Sequence, residues 1–350
     1  MEPERRVETS RRDRVAVVVN GNAKAVTDDL VEVLDQIVQS GDLFVSRSLE
    51  EGQEIARTIV ERGYPTVLTG GGDGTFVQMV TWVVRSAEAT GRPIPRFGLL
   101  RLGTGNALAW VLGSNGPRGR GVVADLARLR TEAGSRPLRL LDVEGTLTPF
   151  AGLGIDAIVL GHFNEVKDVM RRIPVLRRYA TGGVAYFAAI VGRTLPGYFV
   201  RPHPKVRIVN EGEPAVRLGV DGQPVGGEIR AGEVLYEGPS RMVCMSTIPY
   251  WGFGARIFPF ADDRKDRFSV RVVDLNSIDV VVHIRAIWKG TYRSSKVHDF
   301  LVERVSVHYD SPMALQIGGD PAGMRTEVHA ALASKPVPVV DYYSPPAAVD

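Results

Sequence analysis

The sequence predicts an α/β + β protein, an N-terminal domain of alternating strands and helices followed by an antiparallel β domain. Three observations point there. Up to about residue 137, short β-branched runs alternate with helical periodicity, the pattern of parallel βαβ units. From about Leu138 onward, short alternating runs dominate, among them RLLDVEG, KVRIVNE, AVRLGV, RMVCMST, FSVRVVDL and ERVSVHY. Two glycine-rich stretches, GGDGT at Gly71–Thr75 and GTGN at Gly103–Asn106, each follow an expected strand.

Taken in order, Val15–Asn20 (VAVVVN) reads as a strand and about Thr27 to Ser40 as a helix. Leu43–Ser46 is a second strand. Ser48 stands three residues before Glu51, a capping box that opens a helix ending at Gly63. Thr66–Thr69 is a third strand, leading through the glycines to a helix from about Phe76. Phe97–Leu100 is a fourth, leading into LGTGNALAWVLG. In the β domain, helical inserts are expected near Phe163–Arg172 with Gly182–Arg193, and at Ile278–Lys289. The late run VPVVDYY could join either domain. The expected division is a flexible basic tail at 1–14, the α/β domain at 15–137, the β domain at 138–335, and a C-terminal strand and tail at 336–350.

Composition sets bounds. With 350 residues, 44% hydrophobic and 24% charged, the chain is globular in type and long enough for two cores. A net charge of +3 is compatible with anionic ligands or an acidic membrane surface and gives no case for nucleic acid. Cys244 is the only cysteine, which excludes an intrachain disulfide and a cysteine-rich zinc site; the six histidines show no HExxH spacing. The start MEPERRVETSRRDR is charged and lacks an apolar signal core, and no run reaches the ~20 apolar residues of a membrane span. The expectation is a cytoplasmic protein, at most peripheral on the inner face of the membrane.

At GGDGT, successive backbone N–H groups and the start of a helix would form a concave donor surface for phosphate oxygens, with glycine allowing close approach. Asp73 repels phosphate unless it faces a metal ion, a water network or a ribose hydroxyl; its competing reading is a helix N-cap. Neighbouring parallel strands would place Gly103–Asn106 beside this loop, where Asn106 offers both donor and acceptor. The chain has no GxxxxGK[ST] and no GxGxxG, so neither of those phosphate loops is present.

GGDGT followed by LGTGN, the opening VVVNGNAK, the later GLGIDA and the insert GGVAYFAAIVGRTL together resemble the diacylglycerol kinase catalytic family, which includes bacterial lipid kinases, sphingosine kinases and ceramide kinases. NAD kinases share GGDGT, but RLGTGNALAW favours the lipid-kinase branch. The resemblance runs from about Val15 to Asp341. It implies an α/β nucleotide domain, a β-sandwich lipid domain, an active site in the cleft between them, and ATP and Mg2+ as co-substrates. By motif position Asn20 and Lys24 match the loop against the nucleotide phosphates. Gly71, Gly72, Asp73, Gly74 and Thr75 match the phosphate motif, and Gly103, Thr104, Gly105 and Asn106 the nucleotide-side loop. Asp73 and Asp142 match metal-network acids, and Asp320 falls where the family has its catalytic glutamate, so Asp320 and Asp73 are the expected catalytic carboxylates.

The chain departs from the family's pattern in several places. Gly21 stands for a common proline, Val77 and Gln78 for Asn and Glu, Ala107 for an aspartate, and Gly318 for the aspartate of a DGE motif. Phosphoryl transfer depends mostly on positioning and charge neutralisation, so a rearranged acid set remains compatible with it. The segment GGDPAG around Asp320 also reads as a plain turn.

A lipid acceptor needs an apolar pocket open to a membrane. MRRIPVLRR (170–178) places Arg171, Arg172, Arg177 and Arg178 around apolar residues ahead of an apolar helix candidate, compatible with an anionic membrane surface or with an ordinary core helix. IPYWGFGARIFPF adds Tyr250, Trp251, Phe253, Phe258 and Phe260, to line a lipid channel or to fill the β core. Asp266 matches a family position near a structural metal. The expected function is an ATP- and magnesium-dependent lipid kinase acting on a diacylglycerol, ceramide or sphingoid-type lipid. The alternatives are a catalytically impaired nucleotide- or lipid-binding regulator and an NAD kinase-type enzyme. The oligomeric state, a homodimer among the options, and the acceptor lipid are not legible in the sequence.

Overall fold

Chain contacts in the computed structural model separate two units, one gathering Met1–Gly103, Leu108–Leu138 and Val337–Asp350, the other Thr104–Ala107 and Arg139–Pro336. The structure describes residues 14–23, 26–38, 42–103, 105–115, 120–130, 134–158 and 204–343.

The first unit is built on a six-stranded sheet in the order β2-β1-β3-β4-β17-β5. Its strands are β1 (Val15–Asn20), β2 (Leu43–Ser46), β3 (Thr66–Gly71), β4 (Arg96–Arg101), β5 (Gly134–Leu138) and β17 (Val337–Asp341). All neighbours run parallel except β5 against β17. The helices are α1 (Asp28–Ile37), α2 (Leu49–Arg62), α3 (Asp73–Thr90), α4 (Ala107–Leu112) and α5 (Arg120–Arg130). A parallel sheet buries both faces, and Ala16 to Val19, Val67, Leu68, Phe97, Leu99 and Leu100 are accordingly almost free of solvent. The chain passes from β1 to β2 on one side, then crosses back over β1 to place β3 on the other. In open α/β sheets such a reversal opens a crevice at the carboxyl ends of the two flanking strands, here β1 and β3.

The local signals act as expected at α2. The Ser48 hydroxyl accepts the Glu51 N–H, and Gly63 ends the helix in the left-handed region with φ of 66°. The Glu51 carboxylate reaches back one residue further than a capping box requires and takes the Arg47 N–H at 2.7 Å. At the glycine motif the boundaries differ from expectation. Strand β3 continues through Gly70 and Gly71, which pair with Leu100 and Arg101, Gly72 is the N-cap, and α3 begins at Asp73 rather than near Phe76. The strand persists because side chains fill the space beside these glycines. A Cβ on Gly70 would stand 2.7 Å from Val19 Cγ1, and one on Gly71 would overlap the Thr75 side chain. Helix α1 closes at Ile37, short of the expected Ser40.

The second unit is antiparallel throughout. Its strands are β6 (Leu141–Val143), β7 (Thr146–Thr148), β8 (Phe150–Gly154), β9 (Lys205–Asn210), β10 (Val216–Leu218), β11 (Val234–Pro239), β12 (Met242–Ser246), β13 (Phe268–Val273), β14 (Val297–Val302), β15 (Arg304–Ile317) and β16 (Asp320–Leu332), with helix α6 at Ser277–Trp288. The main path is β10-β14-β13-β12-β8-β15-β16-β6-β7, and β9 bridges β15 to β11. Strand β15 pairs with β9 through residues 305–309 and with β8 through 315–317, and its register against β16 shifts between the two stretches. That bend lets one sheet enclose a core that includes Leu153, Met245, Phe268, Phe300, Val305 and Val328. Beside it lies a buried ion pair, Arg271 Nε to Asp299 at 2.6 Å and Arg271 Nη2 at 2.8 Å. The late run left open by the sequence is β17, and it belongs to the first unit.

Candidate functional site

A groove lies at the ends of β1 and β2, against the start of α2 and one side of α3. A cavity of about 190 Å³ is lined by Asn20, Asn22, Ser46, Arg47, Thr75 and Trp82 among others. The end of β1 is tied to the first turn of α3 by Asn20 Nδ2 donating to Thr75 Oγ1 at 3.2 Å. Asn20 Oδ1 accepts the Asn22 N–H, and Asn22 Nδ2 donates to the Arg47 carbonyl, so one loop joins the ends of β1 and β2. Arg47 lies over Gly21: a Cβ there would approach Arg47 Cγ at 3.0 Å and Val45 Cγ1 at 3.1 Å. Glycine at this position, where the related pattern has proline, thus makes room for the arginine stem. Among the described residues the Arg47 guanidinium forms no ion pair, leaving a cation for an anionic ligand.

On the α3 side the groove is lined by Thr75, Gln78, Met79 and Trp82, so the glycine motif reaches it through Thr75. Gly72 has extended backbone (φ −98°, ψ −173°), and its missing Cβ faces only Gly103 Cα at 3.7 Å. The Leu102 N–H donates to the Gly71 carbonyl, which holds the end of β4 against the end of β3 and brings Gly103 beside Gly72. Helix α3 therefore starts at the carboxyl edge of the sheet, where its first N–H groups and the positive end of its dipole favour an anion.

Asp73 is in the first turn of α3 and nearly buried, and its Oδ1 accepts the Leu108 N–H at 3.0 Å. It is not the N-cap; it tethers the start of α4. Its oxygen chemistry suits Mg2+, which takes few protein carboxylates and keeps water and phosphate oxygens as its other ligands. Among the described residues no group of three or more His, Cys, Asp or Glu side chains could by itself hold a metal ion. Asp142 belongs to the second unit, where its Oδ1 accepts the Gly145 N–H across the β6–β7 hairpin. The turn residues Glu144 and Gly145 both have positive φ, a geometry this aspartate stabilises.

Asp320 opens β16 and pairs with Ile317 around a two-residue turn, Gly318 and Gly319, with φ of 61° and 89°. Protein packed around its carboxyl disfavours the charged form and pushes its pKa up, while the water reaching the exposed side chain limits the shift. Of the other expected contacts, Asn106 is buried with φ of 46°, and the Gly105 carbonyl accepts the Phe253 N–H. Lys24, Thr104, the arginines of 170–178 and the apolar insert after them lie outside the described residues. Phe258 packs with Cys244 and Ala261, and Phe260 with Leu218 and Leu301, in two small apolar clusters apart from the main β core. Asp266 is held by Arg264 and Arg267, the Arg264 hydrogen bond first among the influences lowering its pKa.

Sequence reasoning missed Ser46 and Arg47, although position alone could have found them, since they end β2 on the carboxyl edge where ligands bind.

Comparison with known proteins gives the frame. Residues 14–135 match the family described as diacylglycerol kinase catalytic domain. No curated protein gives a significant match. Three solved structures from Bacillus anthracis str. Sterne share the fold. A diacylglycerol kinase is 12% identical with a TM-score of 0.61, covering 96% of this chain and 99% of its own. Two putative diacylglycerol kinases are 13% and 15% identical, with TM-scores of 0.62 and 0.63; they cover 95% and 96% of this chain and 98% and 99% of their own. The family match falls almost wholly in the first unit, and the fold shared with the solved structures extends to both units.

Proposed function

With a diacylglycerol kinase catalytic match over residues 14–135 as the premise, we propose that the protein is an ATP- and magnesium-dependent lipid kinase. It transfers the γ-phosphate to a primary hydroxyl of a diacylglycerol, ceramide or sphingoid-type lipid. The observation that supports this is the groove at the ends of β1 and β2, where Asn20 and Arg47 face Thr75 of the glycine motif. Nucleotide phosphates bind against the first N–H groups of α3, with Gly72 open to them and Arg47 supplying positive charge. Asp73 would contribute a carboxylate oxygen to Mg2+, which would supply neutralisation of phosphate charge when bound. Asp142 is a second carboxylate for the metal's water shell. Gly103, Gly105 and Asn106 serve the nucleotide side. Asp320 takes the proton from the lipid hydroxyl, and a carboxyl whose pKa is raised is a stronger base for that task once ionised. The acceptor is met at an anionic membrane surface. No helix among the described residues is long and apolar enough to cross a membrane.

A second reading, a nucleotide- or lipid-binding regulator, is favoured by two particulars: Gly318 in the turn where the family pattern has an aspartate, and the engagement of Asp73 with the Leu108 N–H. Labelled ATP, magnesium and mixed micelles of diacylglycerol, ceramide or sphingosine, with NAD in parallel, separate the readings. A labelled lipid that disappears in Asp320→Ala supports the kinase. ATP binding without any labelled product supports the regulator, and labelled NAD sinks both.

A further inference from the structure

The GLGIDA segment contributes a carboxyl group that the site described above does not use. Asp156 is only 1% exposed, and among the described residues its Oδ1 accepts no hydrogen bond. Its other oxygen, Oδ2, accepts Gln316 Nε2 at 3.2 Å and faces the Cys244 thiol at 3.6 Å. The sequence makes room for it. A Cβ on Gly152 would lie 1.8 Å from Asp156 Oδ2, so only glycine there admits the carboxylate. Gly152 is also the direct β8 partner of Gln316 on β15.

Gln316 is equally buried, at 1% exposure, and its amide is used at both ends. While Nε2 donates to Asp156, Oε1 accepts the Gly319 N–H at 2.9 Å. Gly319 is the second residue of the turn that delivers Asp320, and the Gly318 N–H is held by the Phe150 carbonyl at 3.0 Å. The amide orientation follows from chemistry. A backbone N–H can be met only by the amide oxygen, which directs the NH2 towards an acceptor, and Asp156 is that acceptor. Without it the amide is free to rotate and present a donor to a donor.

We propose that Asp156 and Gln316 are positioning residues for Asp320: the carboxyl orients the Gln316 amide, and the amide oxygen fixes the Gly318–Gly319 turn. The consequence for turnover rests on the lipid-kinase reading; the structural relay does not. Because orientation needs an acceptor and not a charge, an asparagine at 156 preserves it.

The test combines amide hydrogen exchange at Gly319 with lipid-kinase kinetics on the full chain and on Gln316→Met, Asp156→Leu and Asp156→Asn. The relay requires Gly319 to exchange roughly 3- to 10-fold faster in Gln316→Met and in Asp156→Leu, the latter without touching Gly319, and at the wild-type rate in Asp156→Asn. A displaced carboxylate lowers kcat on the order of 10²-fold in the first two variants, with KM for ATP unchanged and Asp156→Asn near wild type. Unchanged Gly319 exchange in Asp156→Leu overturns the proposal, as does an Asp156→Asn variant as impaired as Asp156→Leu. Should Asp156→Leu fail to fold, Asp156→Ala, which also removes the acceptor, takes its place with the same faster Gly319 exchange required. A wild-type protein that labels no lipid removes the kinase reading, and Gly319 exchange still decides the relay.

Discussion

Asp156 makes stability depend on pH in a direction opposite to most carboxylates. Its carboxyl is fully buried, and desolvation, opposed by the Gln316, Ala157 and Cys244 hydrogen bonds, raises its pKa from 3.8 to about 6. Below the unfolded value the group is protonated in both states and costs nothing differential. As pH rises through the folded value the native state must ionise a buried acid, and stability is lost progressively between those limits. A shift of this size corresponds to roughly 3 kcal/mol. Burial pushes the adjacent Cys244 thiol far up, so it stays neutral over this range. Other carboxylates titrate in the same window, and the comparison with Asp156→Asn isolates this one. Urea unfolding of both proteins from about pH 3 to pH 7 should show the stability of wild type minus variant falling by roughly 3 kcal/mol. A flat difference curve, or one that rises with pH, would refute the reasoning.

Two further perturbations have expected outcomes. Asp299→Ala leaves the Arg271 guanidinium buried without its partner and should lower stability by about 3–5 kcal/mol, whereas Arg271→Met combined with Asp299→Leu should lose much less, as read by urea midpoints. Gly70→Ala drives a methyl against Val19 and should cost about 1–3 kcal/mol in thermal or urea unfolding, while Gly72→Ala, whose Cβ meets only Gly103 Cα, should unfold close to wild type.

Much of the first unit was legible because its signals are local. The β-branched run at Val15–Asn20, the Ser48 cap and the Gly63 stop each depend on a few adjacent residues. The glycine motif was harder. Glycine reads as loop by propensity, yet Gly70 and Gly71 continue β3 because Val19, Leu102 and Thr75 occupy the space their side chains would need. Pairings between distant segments were out of reach altogether. That β17 joins the first sheet depends on pairing with β4 and β5, far away in the sequence. Within the site, Asn20 and the glycines announced themselves by motif, whereas Arg47 is one arginine among many until β2 places it at the groove. Gln316 carries no signal in the sequence, since its role arises only from the strand register that sets it opposite Gly152.

The central claim, that nucleotide phosphates are held at the start of α3 beside Asn20 and Arg47, is tested most directly by calorimetric titration of Mg·ATP. Wild type is compared with Gly72→Ala and Arg47→Ala. The account predicts saturable binding by wild type, weakened on the order of tenfold or more in each variant while both stay folded. No ATP binding by wild type, or undiminished affinity in both variants, would contradict it.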